Sequence, residues 1–260
     1  MRILVGIKHV PDTETKVKPG AEAGSIDESG VKWIISPYDE YALEQALLFR
    51  EAAGGGEVVI VCAAREAAQT TLRQGLAMGA DRAVLIADPR FERCDALARA
   101  RAIAAVARAE RVELVLLGKY GVGTDEWQTA PMLAELLDWP HAAAVSKLEL
   151  GDGSFTAERE VEGGTEVHEG RLPAVISCDK GLNEPRYPSL KGIMQAKKRP
   201  LEVKRADDLG TELGPLDDPM LIWESMELPE GRKAGVLIDG SPEEAASELA
   251  RLLREEAKVI

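Results

Sequence analysis

Short apolar runs without polar alternation recur at Arg2–Ile7, Glu57–Cys62, Ala83–Ala87 and Val112–Leu117, and again at Pro173–Ser177. Runs of this length, rich in Val, Ile and Leu, predict strands buried on both faces. Between them apolar residues return at helical spacing. Ala42, Leu43, Ala46 and Leu47 do so after Ser36-Pro37-Tyr38-Asp39-Glu40, and Ala52 to Gly56 end that pattern. Glu66–Met78 is stopped by Gly79, Asp95–Ala109 is rich in alanine, and the stretch from about Glu126 to Leu137 is closed by Asp138-Trp139-Pro140. These read as helices with ordinary start and stop signals. The resulting βαβαβα rhythm predicts a parallel, helix-covered sheet with right-handed crossovers, in which ligands sit at the carboxyl ends of the strands.

The remaining segments break this rhythm. Lys8-His9-Val10-Pro11-Asp12 ends the first strand with a proline turn, and Thr13–Lys32 is too polar to bury, an exposed excursion with the option of a hairpin. His141–Leu150 and Ser154–Glu162 flank Gly151-Asp152-Gly153 and predict an added β-hairpin. Cys178–Pro200 holds two prolines around Arg186-Tyr187, then a short lysine-rich helix. From Leu201 the apolar pattern thins, which divides the chain into a domain over 1–200 and an arm over 201–260. The arm ends in a helix with Ser241 as N-cap, Pro242 at its first position and Glu244 completing a capping box. Its apolar face, Ala245, Leu249, Leu252 and Leu253, either folds back on the chain or covers a partner subunit.

One junction carries candidate chemistry. After Val112–Leu117, Gly118, Gly121 and Gly123 interrupt the apolar pattern before Asp125 opens the next helix. Strand, glycine loop and helix start together make an anion site, because the first-turn N–H groups are free and glycines let a phosphate approach the backbone. The plainer reading is a loop whose glycines serve only positive φ.

Composition narrows the partners and reactions. With 32 Lys+Arg against 45 Asp+Glu the net charge is −13, which argues against nucleic acid and anionic membranes. No apolar run approaches a membrane span, and the N-terminus reads as a strand and not as a signal peptide, so a cytoplasmic location and no membrane insertion are expected. Cys62, Cys94 and Cys178 lie far apart without CxxC spacing and read as reduced thiols, with no metal site. His9, His141 and His168 lie near no nucleophile motif, which disfavours hydrolysis.

Several phrases together resemble the beta subunit of electron-transfer flavoproteins. They are Ser36-Pro37-Tyr38-Asp39-Glu40-Tyr41-Ala42-Leu43, Leu76-Ala77-Met78-Gly79-Ala80-Asp81-Arg82, Leu116-Leu117-Gly118-Lys119, Leu137-Asp138-Trp139-Pro140 and Leu182-Asn183-Glu184-Pro185-Arg186-Tyr187, the last continuing through Leu190, Ile193-Met194 and Ala196-Lys197-Lys198. The resemblance covers nearly the whole chain. It implies a Rossmann-like, adenine nucleotide α-hydrolase-like domain that binds AMP and pairs with an alpha subunit holding most of the redox FAD site. The nucleotide residues it implies are Gly6, Ser36, Pro37, Tyr38, Asp39, Ala63 and the loop Gly121, Val122, Gly123, Thr124, Asp125, Glu126, Trp127, Gln128, Thr129, Ala130, Pro131 and Met132. Backbone N–H groups from Val122 to Thr129 and the Thr129 hydroxyl would hold the phosphate, with Gly6 and Ala63 bracketing the adenine.

Within that loop the resemblance is divided. Gln128 and Thr129 match the AMP-binding type, Pro131 echoes bifurcating members that bind a second FAD here, and Trp127 stands where the family has a small residue. Thr13 and Glu160 take the positions nearest the redox flavin, Thr13 without the family's frequent aromatic ring. Arg186, Tyr187, Leu190, Ile193, Met194, Lys197 and Lys198 take those of the docking loop, with Leu190 as the anchoring leucine. The implied role is an electron carrier with no bond-making site of its own, between flavin dehydrogenases of the acyl-CoA dehydrogenase type and an electron-transfer flavoprotein–quinone oxidoreductase. Rivals on the same fold are an ATP-using enzyme, against which the lack of a Ser-Gly-Gly-x-Asp-Ser loop after strand one speaks, and a nucleotide-binding stress protein, which would not need the arm.

Overall fold

The apolar runs are buried on both faces because successive residues serve two different cores. Ile3 and Val5 point to one side of the first strand with Val58, Ile60, Leu114 and Leu116, while Leu4, Val59, Val61, Val115 and Leu117 point to the other. The computed structural model of the chain describes residues 1–216, 218–231 and 234–260. It contains β1 (Arg2–Gly6), β2 (His9–Pro11), β3 (Trp33–Ile35), α1 (Pro37–Ala52), β4 (Glu57–Ala64), α2 (Gln69–Met78), β5 (Arg82–Ala87), α3 (Ala96–Glu110), β6 (Leu114–Gly118) and α4 (Thr129–Leu137). There follow β7 (His141–Val145), β8 (Lys147–Leu150), β9 (Ser154–Val161), β10 (Gly164–Arg171), β11 (Ala174–Cys178), α5 (Leu190–Ala196), β12 (Leu201–Arg205) and α6 (Pro242–Glu255).

Among the described residues a seven-stranded sheet runs in the order β12-β5-β4-β1-β6-β11-β7, with every pairing parallel. Helices α1 and α2 cover one face, packing Leu43, Leu47, Leu72 and Leu76 on the sheet, and α3 and α4 cover the other through Ile103, Val106 and Leu133. This is the parallel, helix-covered sheet that the alternation predicts and the Rossmann-like arrangement that the resemblance implies. Its sequence order reverses at β1, where β4 lies on one side and β6 on the other. A crevice at the carboxyl ends of such strands is where open α/β sheets bind ligands.

The predicted hairpin divides. His141–Val145 joins the main sheet beside β11, whereas Lys147–Leu150 pairs antiparallel with β9, and β10 completes a separate three-stranded sheet. The break falls at Ala144, whose φ of 54° turns the chain while its N–H donates to Ser177 Oγ at 2.9 Å. His9–Pro11 is a short strand paired antiparallel with Trp33–Ile35, so the excursion Thr13–Lys32 is the loop of that pair. Leu201–Arg205, where the arm begins in the sequence reading, is the edge strand beside β5.

The chain divides into two compact units, Met1–Met226 and Glu227–Ile260. The second holds α6, which has the predicted capping box: Ser241 Oγ accepts from Glu244 N–H while the Glu244 carboxylate accepts from Ser241 N–H. No helix among the described residues is long and apolar enough to cross a membrane.

Candidate functional site

At the carboxyl ends of β1 and β6 the backbone runs so close to α1 that side chains are excluded. A Cβ on Gly118 would lie 2.5 Å from the Tyr38 carbonyl carbon and 2.6 Å from Asp39 Oδ1. On Gly121 it would meet Lys8 Cδ at 2.9 Å. The side chain at the centre of this packing is Asp39, in the first turn of α1 and fully buried. Its Oδ1 accepts from Lys8 Nζ at 2.5 Å and from Gly118 N–H at 2.9 Å, and its Oδ2 accepts from Lys8 N–H at 2.7 Å. Burial pushes the carboxyl up from its ordinary value, and the Lys8 ammonium and the two backbone N–H groups pull against that rise. Asp39 therefore ties the end of β1, the start of α1 and the end of β6 to one another. The buried Ser36 adds a hydroxyl directed at the Tyr120 carbonyl, at 3.4 Å.

The loop after β6 is closed by aromatic rings. Tyr38 and Tyr120 share a hydroxyl hydrogen bond of 2.9 Å with ring centroids 4.4 Å apart, and Trp127 follows 5.5 Å from Tyr120. That hydroxyl bond, aided by burial, pushes the Tyr120 phenol up to about 12. Lys119 Nζ sits 4.9 Å from the centroids of Tyr38 and Trp127 and 5.3 Å from that of Tyr120, and it pairs with Asp179 at 2.8 Å. Beyond Gly121 the chain turns sharply: Asp125 N–H donates to the Gly121 carbonyl, Gly123 has a φ of 106° and Asp125 one of 50°. Those two left-handed residues delay α4 to Thr129, three residues after the start expected at Glu126. Pro131 fits the first turn, where its missing N–H is not needed.

The start of α4 leaves the N–H groups of Thr129 and Ala130 without intrahelical acceptors, beside the Thr129 hydroxyl. The structure thus brings Gly6, Ser36, Pro37, Tyr38 and Asp39 together with the beginning of the loop that runs from Gly121 to Met132. Ala63 lies at the same end of the sheet, near the end of β4. Lys8 and Lys119 are already neutralised by Asp39 and Asp179, so an anion here would rest chiefly on backbone N–H groups and Thr129. That donor set, with glycines where a Cβ would collide, fits a phosphate group. Sequence reasoning marked Gly118 as part of the glycine loop but missed Lys8, Lys119, Tyr120 and Asp179 as parts of this site. The signal for the first was present, since a lysine directly after a strand buried on both faces calls for a carboxylate partner.

Other sequence-predicted residues lie elsewhere. Thr13 is exposed in the turn after β2, and Glu160 is exposed on β9 opposite Thr165 of β10. In the loop before α5, Tyr187 is 95% exposed, and at the start of α5 Leu190 is 82% exposed, with Ile193 and Met194 also exposed on that helix and Lys197 and Lys198 exposed just after it. Arg186 differs. Its guanidinium turns inward and bridges two carboxylates of α1, Glu44 at 2.8 Å and Glu51 at 2.6 Å.

Comparison with known proteins gives a consistent result. A family model described as the electron transfer flavoprotein domain matches residues 23–209. The chain is 42% identical to the electron transfer flavoprotein subunit beta of Bacillus subtilis (strain 168), over 100% of both chains. It is 38% identical to the subunit of that name in Bradyrhizobium diazoefficiens, again over 100% of both. With the human one it shares 39% identity over 92% of this chain and 93% of the other.

Proposed function

The chain belongs to the electron transfer flavoprotein subunit beta family, and on that premise we propose that it forms a heterodimeric carrier with an alpha subunit, binding AMP in the crevice around Asp39 and Thr129. The observation that carries the nucleotide reading is the meeting of Gly118, Gly121 and the free first-turn N–H groups of α4 at one end of the sheet. Asp39 holds that geometry without being available to a ligand, because it is fully buried and its two oxygens already accept three hydrogen bonds within the protein. The phosphate of AMP would take the N–H groups of Thr129 and Ala130 and the Thr129 hydroxyl.

FAD, held mainly by the alpha subunit, supplies the redox chemistry. The beta chain orders the nucleotide, presents Thr13 and Glu160 toward the flavin and docks the electron donor, with no bond-making site of its own. Donors are flavin dehydrogenases of the acyl-CoA dehydrogenase type, the acceptor is a quinone oxidoreductase, and the site of action is the cytoplasm. The arm that the sequence places at 201–260 docks on the alpha subunit, its part from Glu227 onward with the apolar face of α6. A second reading, a further FAD in place of AMP as in bifurcating members, is favoured only by Pro131.

Co-expression with the alpha subunit tests the proposal. A yellow heterodimer whose flavin is reduced by a dehydrogenase and its acyl-CoA substrate is the expected result, and a colourless monomer that hydrolyses ATP would overturn it.

A further inference from the structure

The docking loop is fastened to the domain at both ends by side chains that bond back onto helices α1 and α2. At its front, Asn183 Nδ2 donates to the Tyr41 carbonyl and to Gln45 Oε1, each at 3.0 Å. Arg186 then grips the following turns of the same helix. Its Nε and Nη2 donate to the two oxygens of Glu44 at 2.8 and 2.9 Å, its Nη1 and Nη2 to those of Glu51 at 2.6 and 3.1 Å, and its backbone N–H to Glu44 at 3.1 Å. Glu44 is itself buried, and among the described residues the guanidinium is the cation that pairs with it. At the rear, Arg73 of α2 donates to the carbonyls of Ala196 at 2.6 Å and Arg199 at 2.8 Å, while Arg199 donates to those of Leu76 and Ala80. Between the two fastenings Gly192 lies against the Ala77 carbonyl, where a Cβ would come within 2.4 Å.

Three of the basic residues in and under this segment are therefore spent internally. Those left facing solvent are Lys191, Lys197 and Lys198, in the same short segment as the exposed Tyr187, Leu190 and Met194 and in a chain of net charge −13. We infer that Arg186 is a positioning residue: by clamping the loop to α1 it presets an apolar projection with lysines in the same segment for an electron-donating protein whose apolar pocket is edged by carboxylates. The inference rests on the docking reading given above and adds to it which residues touch the partner and which only hold the loop. A loop ordered in advance has less conformational freedom to lose on association, so unclamping it weakens encounter without altering electron transfer inside the complex. Exposed ammonium groups give docking its salt dependence, and an inward guanidinium contributes nothing to it.

The test uses the complete heterodimer and a reduced flavin dehydrogenase. Arg186→Ala should raise the apparent KM for the dehydrogenase about fivefold or more, leave kcat at saturation unchanged and speed amide hydrogen exchange over Tyr187–Ile193. The slope of KM against ionic strength should stay as in the parent protein, whereas Lys197→Gln should flatten it. Glu51→Gln removes half of the clamp at an exposed position and should move KM and exchange in the same direction by less; it carries the test if Arg186→Ala fails to fold. Leu190→Ala separates the two levels of argument. If Leu190→Ala raises KM and neither clamp variant does, docking stands and the clamp is refuted. A salt slope flattened by Arg186→Ala would make Arg186 a partner contact and refute the clamp as well. An unchanged KM in all of these variants would refute the docking reading and this inference together.

Discussion

Replacing Asp39 by asparagine changes almost no volume and removes one charge, so its effect reports the charge and hydrogen bonds of this carboxylate. In the folded protein the carboxylate receives three donors, two on Oδ1 and one on Oδ2. An asparagine carbonyl can serve one side; its amide group must then oppose at least one N–H or the Lys8 ammonium, whose side chain is 27% exposed. Breaking a buried ion pair from one side is destabilising by about 3–5 kcal/mol, because the partner is left buried and uncompensated. That is a large share of the roughly 5–15 kcal/mol that holds a domain folded. The assay is urea unfolding of the purified protein at pH 7, followed by tryptophan fluorescence, with Lys8→Met and the double variant completing a cycle. The double variant should recover a good part of the loss, since it removes both charges, and the coupling should be about 1.5 kcal/mol or more. A loss below about 1 kcal/mol for Asp39→Asn, or additive single effects, would refute the claim that this pair joins β1, α1 and β6.

Gly118→Ala drives a methyl group into the Tyr38 backbone, so a loss of about 1–3 kcal/mol and of bound nucleotide is expected, checked by the unfolding midpoint and by the nucleotide content of the heterodimer. His9 stacks on Trp33 at 4.5 Å with its Nδ1 against Thr71 Oγ1, and burial followed by the Arg65 charge lowers its pKa from 6.5 to about 4, with Glu28 acting the other way. The fold thus resists protonating a group that the unfolded chain protonates first, so stability is full above about pH 6.5 and falls as the pH drops from there toward 4. After discounting for partial exposure the fall is roughly 1–2 kcal/mol. His9→Phe should flatten that part of the stability–pH curve, and an unchanged slope would contradict the assignment. Deleting residues 241–260 should weaken heterodimer assembly more than it lowers the melting temperature of the remaining chain; equal losses would favour a helix that folds back on its own subunit.

The central sheet was legible because its strands carry residues for two cores and so read as unbroken apolar runs. Strand β12, Leu-Glu-Val-Lys-Arg, lies at the sheet edge with two of its residues half-buried and the rest exposed, and it looks like polar linker. Strand β10 carries no buried residue at all, so its pattern holds no face from which to infer a strand. The start of α4 was displaced by the left-handed residues Gly123 and Asp125, and a positive φ at a non-glycine residue leaves little trace in sequence. Among site residues, glycine spacing marked the loop, but the close approach that forbids a side chain at Gly118 comes from α1, about 80 residues earlier in the chain. Arg186 illustrates the same limit, because a basic residue in an exposed loop reads as a contact until the carboxylates of a distant helix are placed beneath it.

The most direct test of the account is the identity and amount of nucleotide released when the heterodimer, co-expressed with its alpha subunit, is denatured and the supernatant is analysed by mass spectrometry. One AMP and one FAD per heterodimer is the predicted result. Two FAD with no AMP, or a single FAD with no other adenine nucleotide, would contradict the assignment of the crevice around Asp39 and Thr129 as an AMP site.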